Sequence, residues 1–334
     1  ISTARIAELY SDLESFDITL YSNQPEENLS LEVLLVRPRG TSEEILERKV
    51  LSVDSFPGNT RMIKVGFWNI RNPQRGAYAV RARRLLGEAI LSEAKYDFVY
   101  GSNSASRIQV NDLVSNSQGI SVALSPKEAS LFDIEYMLVD NSNVSYLTKS
   151  ENLSLTSFPD IFSARWGIIL ENNKEYIGRV KIQVYSPEKE FISSTEKFTA
   201  RDNAEITDIF QDETGASATI FGRSQVPFEG SLVFSVYKLP EGSGKENSTL
   251  IESIRERVPV LLSDDDETVE VAWSQRLSKG IYRLEIELLG NDGDVIERRE
   301  TIFESNLAEI SNGSSLNDST LKKEASNGQD IPGF

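Results

Sequence analysis

Two acidic runs, Asp264-Asp265-Asp266-Glu267 and Asn291-Asp292-Gly293-Asp294, hold the densest groups able to do chemistry in this 334-residue sequence. Neighbouring carboxylates supply the hard oxygen ligands that calcium takes. Neither run has the spacing of an EF-hand loop, and Asn-Asp-Gly is first of all hairpin chemistry. The runs therefore read as solvated turns, with Asp264, Asp265, Asp266, Asp292 and Asp294 as the ligands if a loop calcium site exists. No other cofactor is expected. Paired carboxylates also cleave glycosidic bonds, but no spacing singles out a pair.

Other chemistry is closed off by composition. The chain has no cysteine and no histidine. That removes disulfides, thiolate nucleophiles, Ser-His-Asp catalysis and the usual zinc and non-haem iron sites. Phosphate loops, dinucleotide fingerprints and the Gly-x-Ser-x-Gly elbow are missing. The expectation is a protein that is not an enzyme. A net charge of −17 opposes nucleic-acid binding, which needs clustered Lys and Arg. No apolar run approaches the roughly 18–20 residues of a membrane helix, and no secretory leader is recognisable, so the chain reads as a mature or trimmed form.

The elements that would position any site are set by an internal repeat. Three tryptophans, Trp68, Trp166 and Trp273, are each followed by a tyrosine, Tyr78, Tyr176 and Tyr282, at spacings of 10, 10 and 9, and the tryptophans lie 98 and 107 residues apart. After each tyrosine the sequence alternates, as in Tyr282-Arg-Leu-Glu-Ile-Glu-Leu, the period of a half-buried strand. A turn and a second alternating run follow, predicting a hairpin. The stretch Arg81 to Tyr96, which alone could pass for an amphipathic helix, falls in register with the other copies and is assigned as a hairpin too. Recurrence once per repeat makes the tryptophans and tyrosines core residues, with sugar stacking as their alternative use.

These intervals suit sandwich domains of about 100 residues. The expected fold class is all-β: three tandem immunoglobulin-like β-sandwiches over 1–104, 105–202 and 203–305, then a flexible Ser/Asn-rich tether over 306–334. Short linkers predict a stiff rod. The Gly-x-Tyr step before the alternating strand resembles the tyrosine corner of immunoglobulin and fibronectin-type sandwiches, with Leu284 where an antibody domain carries cysteine. In the middle copy Lys174-Glu175 stands where the others have glycine, which predicts a different corner there.

Six Asn-x-Ser/Thr sequons, at Asn28, Asn143, Asn152, Asn247, Asn312 and Asn317, are N-glycan acceptors if the chain is exported. The tail ends in Pro332-Gly333-Phe334 after a polar spacer, and here the sequence resembles archaeal surface proteins with a Pro-Gly-Phe sorting signal. In that family the motif precedes a hydrophobic helix and a basic end, and an archaeosortase processes it. The resemblance implies an extracellular, archaeal cell-envelope protein, anchored through a C-terminal segment absent from this chain and touching membrane only there.

Charge is uneven: net −1 for 1–104, −3 for 105–200, −11 for 201–305 and −2 for the tail. The expected role is a structural or interaction module whose partners are other envelope proteins or copies of itself. Two alternatives remain. An adhesin or glycan or solute receptor needs an exposed aromatic cluster or cleft, for which Tyr136, Tyr146 and Phe158 are the candidates although core packing is their expected use, and a self-assembling surface-layer or filament subunit would exploit the basic front and acidic back.

Overall fold

A computed structural model describes residues 4–86, 89–101, 106–240 and 248–306. They form twenty-one β-strands and, among the described residues, no helix. The strands fall into three groups of seven. The first holds β1 (Arg5–Ser11), β2 (Ser15–Ser22), β3 (Glu26–Arg39), β4 (Ser42–Phe56), β5 (Thr60–Phe67), β6 (Gly76–Leu86) and β7 (Ala89–Tyr100). The second holds β8 (Ile108–Ser115), β9 (Gly119–Pro126), β10 (Ser130–Asp140), β11 (Asn143–Leu155), β12 (Asp160–Arg165), β13 (Glu175–Ser186) and β14 (Glu190–Thr199). The third holds β15 (Ala204–Gln211), β16 (Gly215–Gly222), β17 (Ser231–Leu239), β18 (Thr249–Arg257), β19 (Asp266–Ala272), β20 (Gly280–Leu289) and β21 (Val295–Ser305).

Each group is a sandwich of a three-stranded and a four-stranded antiparallel sheet. The orders are β1-β2-β5 over β4-β3-β6-β7, then β8-β9-β12 over β11-β10-β13-β14, then β15-β16-β19 over β18-β17-β20-β21. The period of two explains the cores. In β20, Tyr282, Leu284, Ile286 and Leu288 are buried while Arg283, Glu285 and Glu287 point the other way. Each group has its own apolar cluster, and Arg81 to Tyr96 pairs as the β6–β7 hairpin.

Trp68, Trp166 and Trp273 occupy one setting three times. Each backbone N–H donates to a carbonyl of the first hairpin, Glu14, Gln118 or Thr214. Each indole Nε1 donates to the same turn: to Ser11 Oγ at 3.0 Å, to the Asn116 carbonyl at 2.8 Å and to the Asp212 carbonyl at 3.3 Å. The turn is tightened by a side-chain oxygen of Asp12, Asn116 or Asp212, which accepts backbone N–H groups two and three residues on.

The corner tyrosines divide as their neighbours do. Tyr78 and Tyr282 donate to the carbonyls four residues back, Gln74 and Ser278, at 2.5 and 2.9 Å. Tyr176 instead accepts from the Glu171 backbone N–H at 3.2 Å, and the Lys174 ammonium lies over its ring.

The first junction departs from a rod. A single bridge, Asn143 to Lys64, joins β11 to β5, so the first three-stranded sheet and the second four-stranded sheet run on as one seven-stranded array. Beside that corner the two sheets pack face against face. The groups overlap laterally here because the outward faces of β2 and β13 are built to bury one another.

Candidate functional site

Strand β2 sends Phe16, Ile18 and Leu20 into the first core, so Ser15, Asp17 and Thr19 should be wet. All six are buried. The cover comes from the second group, where β13 turns Val180 and Ile182 inward and presents Arg179 and Lys181 outward, next to Met137 and Val139 of β10. These four are buried as well, and Arg179 has no exposed surface.

At the centre Asp17 lies between the two cations. Its Oδ2 accepts from Arg179 Nη2 at 2.9 Å and its Oδ1 from Lys181 Nζ at 2.8 Å. Arg179 Nη1 also donates to Ser15 Oγ, while its Nε is buried without a partner. The Tyr10 ring lies under both cations, with Lys181 Nζ 5.0 Å and the Arg179 guanidinium carbon 5.9 Å from its centroid. Phe191 and Tyr96 close the aromatic side, at 5.7 and 5.5 Å from Tyr10. On the rim Ser193 Oγ donates to Asp12 Oδ2 at 2.5 Å.

Burial pushes the Tyr10 phenol well above its ordinary value, and the negative charge of Asp12 adds to the shift. Tyr96 moves the same way, through burial first and then Asp12 and Asp17. Two cations thus face two carboxylates and two neutral phenols. Charges taken out of water this far survive only when paired and hydrogen-bonded. Arg179, Asp17 and Tyr10 are closed to solvent, and their contacts lock the first sandwich to the second.

The aspartates of the two acidic runs take separate partners. Asp264 pairs with Arg165 of the second group. Asp265 Oδ2 accepts from the Leu262 backbone N–H at 2.9 Å, and Asp266 is exposed at the head of β19. Asp292 Oδ2 accepts from Asn173 Nδ2 at 3.0 Å, and the Asp294 carbonyl accepts the Gly290 N–H. Asp202, unremarkable in sequence, takes the Asn291 N–H at 2.8 Å; burial raises its pKa, and the charges of Asp294 and Asp292 add to that. Among the described residues no group of three or more His, Cys, Asp or Glu side chains could hold a metal ion.

Asn28, Asn143 and Asn152 are exposed, Asn28 and Asn152 in left-handed backbone at φ 58° and 57°. Asn247, Asn312 and Asn317 lie outside the described residues, as do Pro332, Gly333 and Phe334. Tyr136 and Tyr146 pack in the second core and Phe158 stands alone at 80 % exposure, so these aromatics form no receptor cluster. Sequence reasoning missed the lock itself. Its only signal was an acid on the outward side of β2 and two bases on the outward side of β13.

No family model matches the chain, and no curated protein matches it. Among solved structures it is similar to a DUF4785 family protein from Legionella pneumophila, at 11 % identity over 91 % of each chain with a TM-score of 0.30. It is also similar to trypsin-activated alpha-2-macroglobulin from Escherichia coli, at 11 % identity over 93 % of this chain and 24 % of that one, TM-score 0.24. A third is dimeric latent PorU from Porphyromonas gingivalis, at 10 % identity over 91 % and 34 %, TM-score 0.24. Likeness at this level carries no argument about function.

Proposed function

We propose that the chain is a non-catalytic module of an archaeal cell envelope, displayed outside the cell through its C-terminal tail and working as a spacer and contact surface. The observation that supports this is the sealed joint between the first two sandwiches. An internal cluster of Asp17, Arg179 and Lys181, closed to solvent, fixes two domains as one body, which suits a part that holds distance and orientation. Exposed sequons at Asn28, Asn143 and Asn152 fit an exported surface. The Pro332-Gly333-Phe334 motif supports the location by resemblance alone.

The test is to express the full-length precursor in an archaeal host and treat intact cells with protease. The wild-type protein is expected to be cell-bound and cleaved from outside, and a variant with all three motif residues replaced by alanine to be lost from the envelope. A protein protected inside intact cells, or one indifferent to the triple substitution, would refute the assignment.

A further inference from the structure

The face of the second sandwich that docks on the first has a distinctive pattern. Counting from each corner tyrosine, the outward cations of β13 stand three and five residues on, at Arg179 and Lys181. Across the ladder from Val139 and Met137 stand Ile177 and Arg179. In the first sandwich the same positions hold Arg81 and Arg83 on β6, with Val36 across from Ala79 and Leu34 across from Arg81. Leu34, Val36 and Ala79 form a small buried cluster of their own, apart from the main core. Phe191, two residues before the partner of Lys181, has its counterpart in Leu91, which is 40 % exposed. The third sandwich breaks the pattern, with Glu285 and Glu287 in place of the cations and Ser235 in place of Leu34.

The receiving face is equally specific. On the first sandwich Tyr10 pairs with Asp17 across β1 and β2. The position of Tyr10 is held by Val114 in the second sandwich and by Phe210 in the third, paired with Ser121 and Ser217. An equivalent irregularity three residues earlier marks all three strands, so the register is secure. Only the third supplies an aromatic ring, 63 % exposed, and Glu270 stands exposed directly across from Ser217, with Asp208 along the strand.

We infer that the outer β4-β3-β6-β7 face of the first sandwich docks a second copy of this chain, through the outer β15-β16-β19 face of that copy's third sandwich. This rests on reading the chain as a contact module and names its partner. Phe210 would lie beneath Arg81 and Arg83 as Tyr10 lies beneath Arg179 and Lys181, with Glu270 supplying the carboxylate from the neighbouring strand. Locally the cations Arg81 and Arg83 of one face would meet the exposed Glu270 and Asp208 of the other. Arg81 and Arg83 remain 26 % exposed, held upright by Glu43, Glu93 and Glu32. Such a contact joins unlike faces and propagates head to tail.

Sedimentation of the purified chain over a concentration series tests it. Association is expected at low salt and should weaken as salt rises. Phe210→Asp should leave a folded monomer with an unchanged melting curve, and Arg81→Gln with Arg83→Gln a folded monomer of somewhat lower Tm because its ion pairs with Glu43, Glu93 and Glu32 are lost, each weakening association at least roughly tenfold. Mixing the two variants, each with one intact face, should give dimers and nothing longer. A wild type that stays monomeric at every concentration overturns the inference, and so does loss of association in Val114→Asp with none in Phe210→Asp, which would assign the second sandwich as occupant. Both results leave the envelope assignment standing, because that falls only with the protease experiment.

Discussion

Replacing Asp17 with asparagine keeps the shape of the lock and removes its anion. Arg179 and Lys181 are then left buried without a countercharge, holding Ser15 Oγ, the Tyr10 and Phe191 rings and whatever the asparagine carbonyl accepts. Losing one partner of a buried ion pair costs about 3–5 kcal/mol, and the surviving cation–π contacts, worth about 1–2 kcal/mol, place this case near the lower end at about 3 kcal/mol. For a cooperative unit of roughly 150–250 residues each kcal/mol moves Tm by about 2–4 °C, so Asp17→Asn should lower the first transition by about 6–12 °C. Differential scanning calorimetry measures this directly. A companion variant, Asp17→Asn with Arg179→Met and Lys181→Met, removes every charge and should recover most of the loss, because a well-packed apolar replacement of a buried charge cluster is close to neutral. If Asp17→Asn costs under about 1 kcal/mol, or the triple variant is worse than the single, the cluster is not a desolvated lock.

Three further outcomes follow from the same geometry. Tyr10 and Tyr96 hold their protons more tightly folded than unfolded, so the unfolded chain ionises first above the ordinary phenol value of 10.0 and stability should fall as pH rises through it; urea unfolding between about pH 8 and 11 should show the decline, and Tyr10→Phe should flatten it. Asp202, with its pKa raised by burial, should make Asp202→Asn neutral or stabilising near pH 7, and that gain should vanish by about pH 3, where the native carboxyl is protonated anyway. Tyr282→Phe and Tyr78→Phe should each lose about 1 kcal/mol by chemical denaturation, while Tyr176→Phe should lose less, since its hydroxyl only accepts a longer bond.

The fold was legible because its determinants are local. Tryptophan, tyrosine and the alternating strand lie within about twenty residues of each other, and a period of two needs no partner to be seen. The altered middle corner was legible for the same reason, as Lys174-Glu175 directly precedes the tyrosine. Asp17 and Arg179 were not, since they are 162 residues apart and each alone is an ordinary outward charge on a half-buried strand. Only their meeting makes them special. The acidic runs read as turns from local sequence alone, but the partners they take did not show there, since Asp264 and Asp292 turn to Arg165 and Asn173 of the second sandwich.

The two junctions differ in physical kind, and this decides which of them opens first. The second is made end to end by loops: Leu170 N–H donates to the Gln225 carbonyl, Gln225 N–H to that of Ser117, and Arg201 N–H to Ser117 Oγ. Its apolar anchor is Val226, which enters the second core at 1 % exposure. A buried valine contributes about 1.5–3 kcal/mol and each loop hydrogen bond about 1 kcal/mol, that of Arg201 being exposed to water. The first junction instead buries whole strand faces, Met137 and Val139 among them, so that parting it returns that apolar surface to water. Opening should therefore begin at the Val226 side, with the third sandwich as a separate calorimetric transition from the joined first pair. Val226→Ala, which leaves a cavity in the second core, should lower the transition of the joined pair while leaving the contacts of Asp17 untouched.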